Sequence, residues 1–433
     1  MTRTSRRVLL LSHTTGYQLR AFNDAAEALG IELVFATDRC DKLDDPWQDR
    51  AIPVRFHDVD GSVDAIVERA GRHPVHGVLA VGDRPVVLAA RAAAALQLPW
   101  HPASAALASA DKQRSRAALM HAGLPSPRFV VVPAHEMAGS AAAVMAEYPC
   151  VLKPLGMSGS RGVIRANSSE EFVAAFDRIR ALLARRQVRA ARSGLEDQIL
   201  VEQYVDGDEF AIEGVLTLGA LEIFAIFDKP DPLQGPFFEE TIYVTPSRLP
   251  AATQTSIADH VRRACVALGL WHGPVHAECR VNRDGKVYVL EVAARPIGGL
   301  CSRVLTFVGG HTPAQEPGAG ALLEEVLLEH AVGRSIAAYS REPAAAAVMM
   351  IPIPSRGMYK GVEGDVEARG VEGVTDIRIT ARIGQLLETL PEAGSYLGFI
   401  FARGATPRDA EQSVRAAHGK LAFAVSRELT VHG

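Results

Sequence analysis

The stretch VYVLEVAARPIGGLC, residues 287–301, decides how the chain is read. An apolar run with strand character passes directly into Glu291, Arg295 and the adjacent glycines Gly298 and Gly299. Charge at the end of a buried strand is costly unless something meets it. Upstream, GPVHAECRVN (residues 273–282) is a second strand, and the turn at Gly285 lies midway between Glu278 and Glu291, so the two carboxylates can face one another. Mg²⁺ takes one or two carboxylates and completes its shell with phosphate oxygens and water, which would answer the charge at Glu291. Arg295 follows one short turn later, planar and always cationic, suited to clamp a carboxylate or a phosphoryl group. The plainer alternative is a structural Glu291–Arg295 ion pair that holds the loop.

Two stretches upstream carry related chemistry. In VLKPLGMSGSRGV (151–163), Lys153 leaves a strand ahead of a loop with Gly156, Ser158, Gly159, Ser160, Arg161 and Gly162. Glycines let backbone N–H groups approach phosphate oxygens, and the hydroxyls and cations add donors. The loop suits a polyphosphate, although neither GxxxxGK[ST] nor GxGxxG is present there, and a flexible surface hairpin reads equally well from the loop alone. In ILVEQYVDGDEF (199–210), Glu202 and the backbone from Gln203 to Val205 could meet an adenine edge and Glu209 ribose hydroxyls, or the segment is an edge strand with a polar turn. His272 and His276 are four apart, but Gly273 and Pro274 break the helix that a zinc pair would need, so core or loop histidines are expected. Cys279 and Cys301 have no partner pattern that would make either a nucleophile.

The rest of the chain bounds the answer. It has 433 residues, more than one hydrophobic core fills, so several lobes with a cleft between them are expected. Net charge is −4, with no general pull toward nucleic acid or anionic membrane. Five widely spaced cysteines, Cys40, Cys150, Cys265, Cys279 and Cys301, read as reduced thiols. The opening apolar run is too short for a signal peptide and no run is long enough to span a bilayer, so a cytoplasmic protein is expected. RRVLLLS (6–12), a turn at HTTG, a helix ending at Gly30, IELVFAT (31–37), HGVLAVG (76–82) and an alanine-rich helix after it alternate as in an open, mostly parallel α/β domain. A capped basic amphipathic helix follows in SADKQRSRAALMHAG. From Tyr148 the pattern changes to short strands broken by glycine. The GGHTPAQEPGAGA stretch ends this part, and AVMMIPIP, VTDIRIT, YLGFIFARG and a helix capped by Thr406 form a small α+β lobe.

Taken in order, ADKQRSR, VLKPLGMSGSRGV, LVEQYVDGDEF, HAECRV and VLEVAARPIGG resemble the successive nucleotide and metal motifs of the ATP-grasp superfamily, over residues 110 to 300. The nearest resemblance is to the L-amino-acid ligases and related carboxylate-amine ligases. It implies an ATP-grasp fold of α/β plus α+β class: an N-terminal open α/β domain (1–108), a small lid subdomain with its connecting helix (109–205), a large subdomain (206–342) and a C-terminal α+β lobe (343–433). It further implies that Lys112 and Lys153 contact ATP phosphates, that Gly156, Ser158, Gly159, Ser160 and Gly162 close over them, and that Glu202, Tyr204, Val205 and Glu209 hold adenosine. Glu278 and Glu291 would bind Mg²⁺, or Mn²⁺ in its place. Arg295 would steady the acyl phosphate. FFEETIYVTP (237–246) is similar to the segment that contacts the amino-acid substrate, with Glu240 at its carboxylate and Lys229 in the preceding FDKP.

Two departures from the family pattern stand out. Ala293 occupies the place where many ATP-grasp enzymes have an asparagine two residues after the second metal glutamate, a loss worth roughly 10- to 100-fold in metal affinity if nothing replaced it; the L-amino-acid ligases share this variant. Tyr243 stands where those ligases commonly have histidine. The expected function is an ATP- and Mg²⁺-dependent ligase that joins a small-molecule carboxylate to an amine through an acyl phosphate, releasing ADP and phosphate, without nucleic-acid or membrane partners and with a homodimer left open. The alternatives are a nucleotide-binding regulatory protein without turnover, to which Ala293 points, and a biotin-carboxylase-like carboxylating enzyme. Neither substrate is legible in the sequence.

Overall fold

The structure is a computed structural model that describes residues 6–13, 18–38, 51–144, 147–309 and 320–426. Cys40, most of the HTTG turn and nearly all of the GGHTPAQEPGAGA stretch lie outside the described residues.

The first sheet explains the opening apolar run. Strand Arg6–Ser12 lies between Ile31–Thr37 and Gly77–Val81, all parallel, with Ile52–Pro53 at the edge. A central parallel strand is covered on both faces, and Val8 to Leu11 are buried accordingly. Gly30, left-handed at φ 64°, ends the helix Leu19–Leu29. Asp83 and Arg84 follow the carboxyl end of Gly77–Val81, where open α/β sheets place ligand-facing residues.

A four-stranded antiparallel sheet carries the glycine loop, in the order Phe129–Pro133, Gln198–Gln203, Cys150–Pro154, Ile164–Ala166. The helix Ser169–Leu183 covers it, with Phe172 and Phe176 stacked in the core. Burying such a side chain contributes roughly 1.5–3 kcal/mol, which makes this sheet a firm platform for the loop.

The third layer is an eight-stranded sheet in the order Val287–Ala293, Gly273–Val281, Asp208–Thr217, Ala220–Asp228, Ile242–Thr245, Ala345–Ile351, Gly398–Gly404, Val374–Ile379. The hairpin expected around Gly285 is present, and Glu278 and Glu291 are direct cross-strand partners. Two features differ from the sequence reading. The C-terminal strands continue this sheet through the pairing of Ile242–Thr245 with Ala345–Ile351, so the change of style near residue 342 is not a sheet edge. Residue 108 falls inside the helix Ala103–Ala110, which packs on the next helix, Lys112–His121, so the chain has no break there. A further small sheet, Gly357–Glu363 between Leu386–Leu387 and Ala422–Ser426, was not legible in advance, because its strands are short and the central one is broken by glycine and charge. Among the described residues no helix is long and apolar enough to cross a membrane.

Candidate active site

A cavity of about 310 Å³ is lined by residues from all of these layers. Of the positions expected from sequence, Lys112, Lys153, Ser158, Gly159, Ser160, Glu202, Tyr204, Val205, Glu209, Glu240, Glu278, Glu291 and Arg295 line it. Gly156, Gly162 and Lys229 are not among its lining residues. A Cβ on Gly162 would come 2.7 Å from Pro154 Cγ, at a φ of 75°, so glycine at this position lets the loop fold back on its own strand. Gly159 (φ 64°) and Ser160 (φ 55°) bend the loop tip through left-handed conformations.

The loop is pinned from below. Lys112 Nζ donates to the carbonyl oxygens of Leu155 (3.4 Å) and Met157. Lys112 is placed by the helix Lys112–His121, whose first turn is capped by Asp111 accepting from Gln113 and Arg114 amides. Four residues on, the same helix buries Arg116, which donates through Nε to Glu202 Oε2 at 2.9 Å while Lys153 pairs with Glu202 Oε1. Burial alone would raise the Glu202 carboxyl, but the two cations outweigh it and hold it down at about 2. Both carboxylate oxygens are therefore engaged. Within the chain its partners are Arg116 and Lys153, and it orients the lysine toward the cavity. Arg116 was missed because it reads as part of a solvated basic face; its spacing of four from Lys112 was the available signal.

Glu209 likewise meets cations: Oε1 is 2.7 Å from Lys229 Nζ and Oε2 accepts from Arg280 Nε at 2.9 Å. Val205 offers its carbonyl to Arg280 Nη1 at 2.7 Å, and the Tyr204 ring lies under Arg165 (4.1 Å to the ring centre) and beside Phe238.

Lys229 is the centre of an acidic cluster. Its ammonium donates to Glu209, Glu240 and Glu278, the last at 3.2 Å. Carboxylate oxygens of these three glutamates lie within 4.8 Å of one another, a spacing that a cation could bridge. Lys229 Nζ is that cation, so the triangle is filled by the chain itself. Burial would lower the lysine, but the three carboxylates raise it well above its usual value. Three carboxylates around one ammonium leave excess negative charge. Burial, opposed by Lys229 and reinforced by Glu278 and Glu209, pushes Glu240 up to about 7, while Glu278 is held at about 2. Tyr243 Oη donates to Glu240 Oε2 at 2.9 Å. Three carboxylates against Lys229 and Arg280 leave this corner negative on balance, which suits an ammonium group.

Arg295 is buried at the cavity wall. Its Nε donates to Asp83 Oδ1 at 2.7 Å and Nη1 to the Pro296 carbonyl. The ion pair that holds it is thus with Asp83 of the first sheet, not with Glu291. Burial would raise Asp83, but the charge and hydrogen bond of Arg295, a bond from Ser158 and the charge of Lys112 keep it below the usual carboxylate range. The loop after Arg295 is fixed from beneath by Glu213, which accepts from the Ile297 amide at 3.1 Å and contacts His276 Nδ1 at 3.0 Å. His272 stacks on His330 with ring centres 4.3 Å apart, so the two histidines serve packing and support as expected. Ile297, Gly298, Cys301, Met350, Tyr243 and Tyr396 make the apolar side of the cavity. Met350 comes from the strand Ala345–Ile351 and Tyr396 from the loop just before Gly398–Gly404, and neither carried a sequence signal of its own.

Comparison with known proteins fits this arrangement. A family model described as ATP-grasp domain matches residues 146–304, one described as ATP-grasp N-terminal domain matches 23–100, and one described as L-amino acid ligase C-terminal domain 2 matches 349–426. The chain is 30% identical over 203 residues to the D-alanine--D-alanine ligase of Pseudomonas fluorescens (strain Pf0-1), covering 45% of this chain and 56% of that protein. It is 28% identical over 248 residues to the alanine--anticapsin ligase of Bacillus subtilis, covering 54% and 52%. The chain thus spans about half the length of the curated relatives it matches. The solved structure of an L-amino acid ligase from Bacillus licheniformis superposes with a TM-score of 0.81 at 25% identity, over 98% of this chain and 100% of that one. Together with the glycine loop and the paired glutamates, these matches show ATP-grasp domains over residues 23–100 and 146–304 and an L-amino acid ligase C-terminal domain over 349–426.

Proposed function

We propose that the protein is an ATP- and Mg²⁺-dependent carboxylate-amine ligase that forms an amide, of amino-acid or dipeptide type, through an acyl phosphate. The observation that supports this most is the convergence on one cavity of Lys112, Lys153, the glycine loop, the facing Glu278 and Glu291, Arg295, and the Glu240 corner. The donor set suits a hard divalent cation: two carboxylates on paired residues, one of them held anionic, with room for phosphate oxygens beside them.

MgATP, when bound, supplies the phosphoryl group that activates the acid. Lys153, oriented by Glu202, and Lys112, at the base of the loop, place positive charge on the phosphate side. Glu278 and Glu291 would hold the cation. Arg295, fixed by Asp83, offers its guanidinium to the activated acid and to the oxyanion formed when the amine attacks. Glu240 holds the ammonium of an amino-acid substrate, and Tyr243 orients that carboxylate. Alignment of two bound reactants can be worth ~7–11 kcal/mol of the barrier.

A matrix of carboxylates against amines, read by ADP release and product mass, tests the reading. Some pair should give ADP and amide together, and Arg295→Ala should lower turnover with that pair by roughly 10²- to 10³-fold. ATP binding without ADP formation across the matrix would favour the regulatory alternative, and ATP cleavage driven by bicarbonate alone the carboxylating one.

A further inference from the structure

One segment of the C-terminal lobe reaches both the glycine loop and the substrate cavity. The Gly162 amide at the end of the loop donates to the Pro391 carbonyl at 2.8 Å, and Arg161 Nε donates to the Glu392 carbonyl at 3.1 Å. The helix that covers the loop sheet is tied to the same place: Arg178 forms a bidentate pair with the Glu392 carboxylate, at 2.7 and 2.8 Å. Just beyond that helix, Arg185 grips Glu388 at 2.8 and 2.9 Å. Four residues after Glu392, Tyr396 lines the cavity. Bidentate arginine–carboxylate pairs fix orientation as well as distance.

We propose that Glu392 is a positioning residue that latches the glycine loop closed: through Arg178 and the adjoining backbone bonds it ties the loop and its sheet to the strap 388–396, which excludes water from the activated acid. The role in water exclusion rests on the ligase reading above; the latch itself does not. With the latch open, water attacks the acyl carbon of the acyl phosphate, the acyl–oxygen bond breaks, and free acid and phosphate leave in place of amide. ATP is then consumed without product. The C-terminal lobe is accordingly part of the reaction chamber, and its Tyr396 lets the occupant of the cavity touch the strap that holds the lid.

Two readouts on the full-length protein test this. The first does not depend on activity: trypsin cleavage after Arg161, followed by mass spectrometry. Glu392→Arg should speed cleavage about tenfold or more, and the charge-swapped double variant Glu392→Arg with Arg178→Glu should restore protection. The second is the ratio of amide to ADP with a substrate pair that the wild type couples. Glu392→Arg should lower that ratio at least several-fold while the double variant recovers it. Unchanged protection in Glu392→Arg, or failure of the double variant to recover protection, overturns the latch. Restored protection with a ratio unaffected throughout overturns the water-exclusion role, and absence of ADP from every variant and the wild type speaks against the ligase reading instead.

Discussion

At the scale of single residues, the site is governed by which charges are satisfied within the chain and which are left for a ligand. Glu202 and Glu209 are consumed by internal cations, whereas Glu240 shares its lysine with two other carboxylates and titrates near neutrality. This has a pH consequence. A raised carboxyl is protonated below its value, so the ammonium-holding form of Glu240 is depleted as pH falls below about 7. The kcat/KM for the amino-acid substrate should therefore rise as pH increases through about 7, and Glu240→Gln should abolish that limb while lowering kcat/KM overall; a limb that persists in the variant would assign it to another group. Glu278 and Glu291 were legible because a single turn fixes antiparallel register. Asp83 was not, since it meets Arg295 from 212 residues away and nothing local announces the pairing.

At the scale of elements, the helix Lys112–His121 and the sheet that carries the glycine loop are joined by Arg116, Glu202 and Lys153. The folded Glu202 carboxyl lies at about 2 against a usual 4.5, a depressed acid. Its stabilising contribution is complete above pH 4.5 and lost as pH falls from there toward 2, on the order of 3 kcal/mol by linkage. In urea unfolding across this range, Glu202→Gln should cost about that much at neutral pH and flatten the acid limb; equal acid sensitivity in both proteins would contradict the assignment. The elements themselves were largely readable from periodicity, Gly30 marking a helix end at left-handed φ and Asp111 and Thr406 marking starts. The strand Gly357–Glu363 escaped because a half-exposed strand with two glycines carries neither alternation nor an apolar run.

At the scale of the whole molecule, the eight-stranded sheet makes the C-terminal lobe a structural partner of the hairpin that carries Glu278 and Glu291. Strands Ala345–Ile351 and Gly398–Gly404 extend a sheet that would otherwise end at Ile242–Thr245 with an unpaired edge and an uncovered core. A chain cut after residue 342 should therefore lose cooperative thermal unfolding and aggregate, as followed by calorimetry and light scattering; a folded monomer would show that the lobe is dispensable. Sequence motifs could give the order of the lobes but not this continuity, because sheet pairing between distant strands leaves no local trace.

The central claim is that the cavity activates a carboxylate by transferring phosphoryl to it before the amine attacks. The most direct measurement uses a carboxylate substrate labelled with ¹⁸O and analyses the released phosphate by mass spectrometry. The account predicts one labelled oxygen in phosphate for every amide formed, with ADP as the nucleotide product. Unlabelled phosphate, or label recovered in AMP, would contradict it.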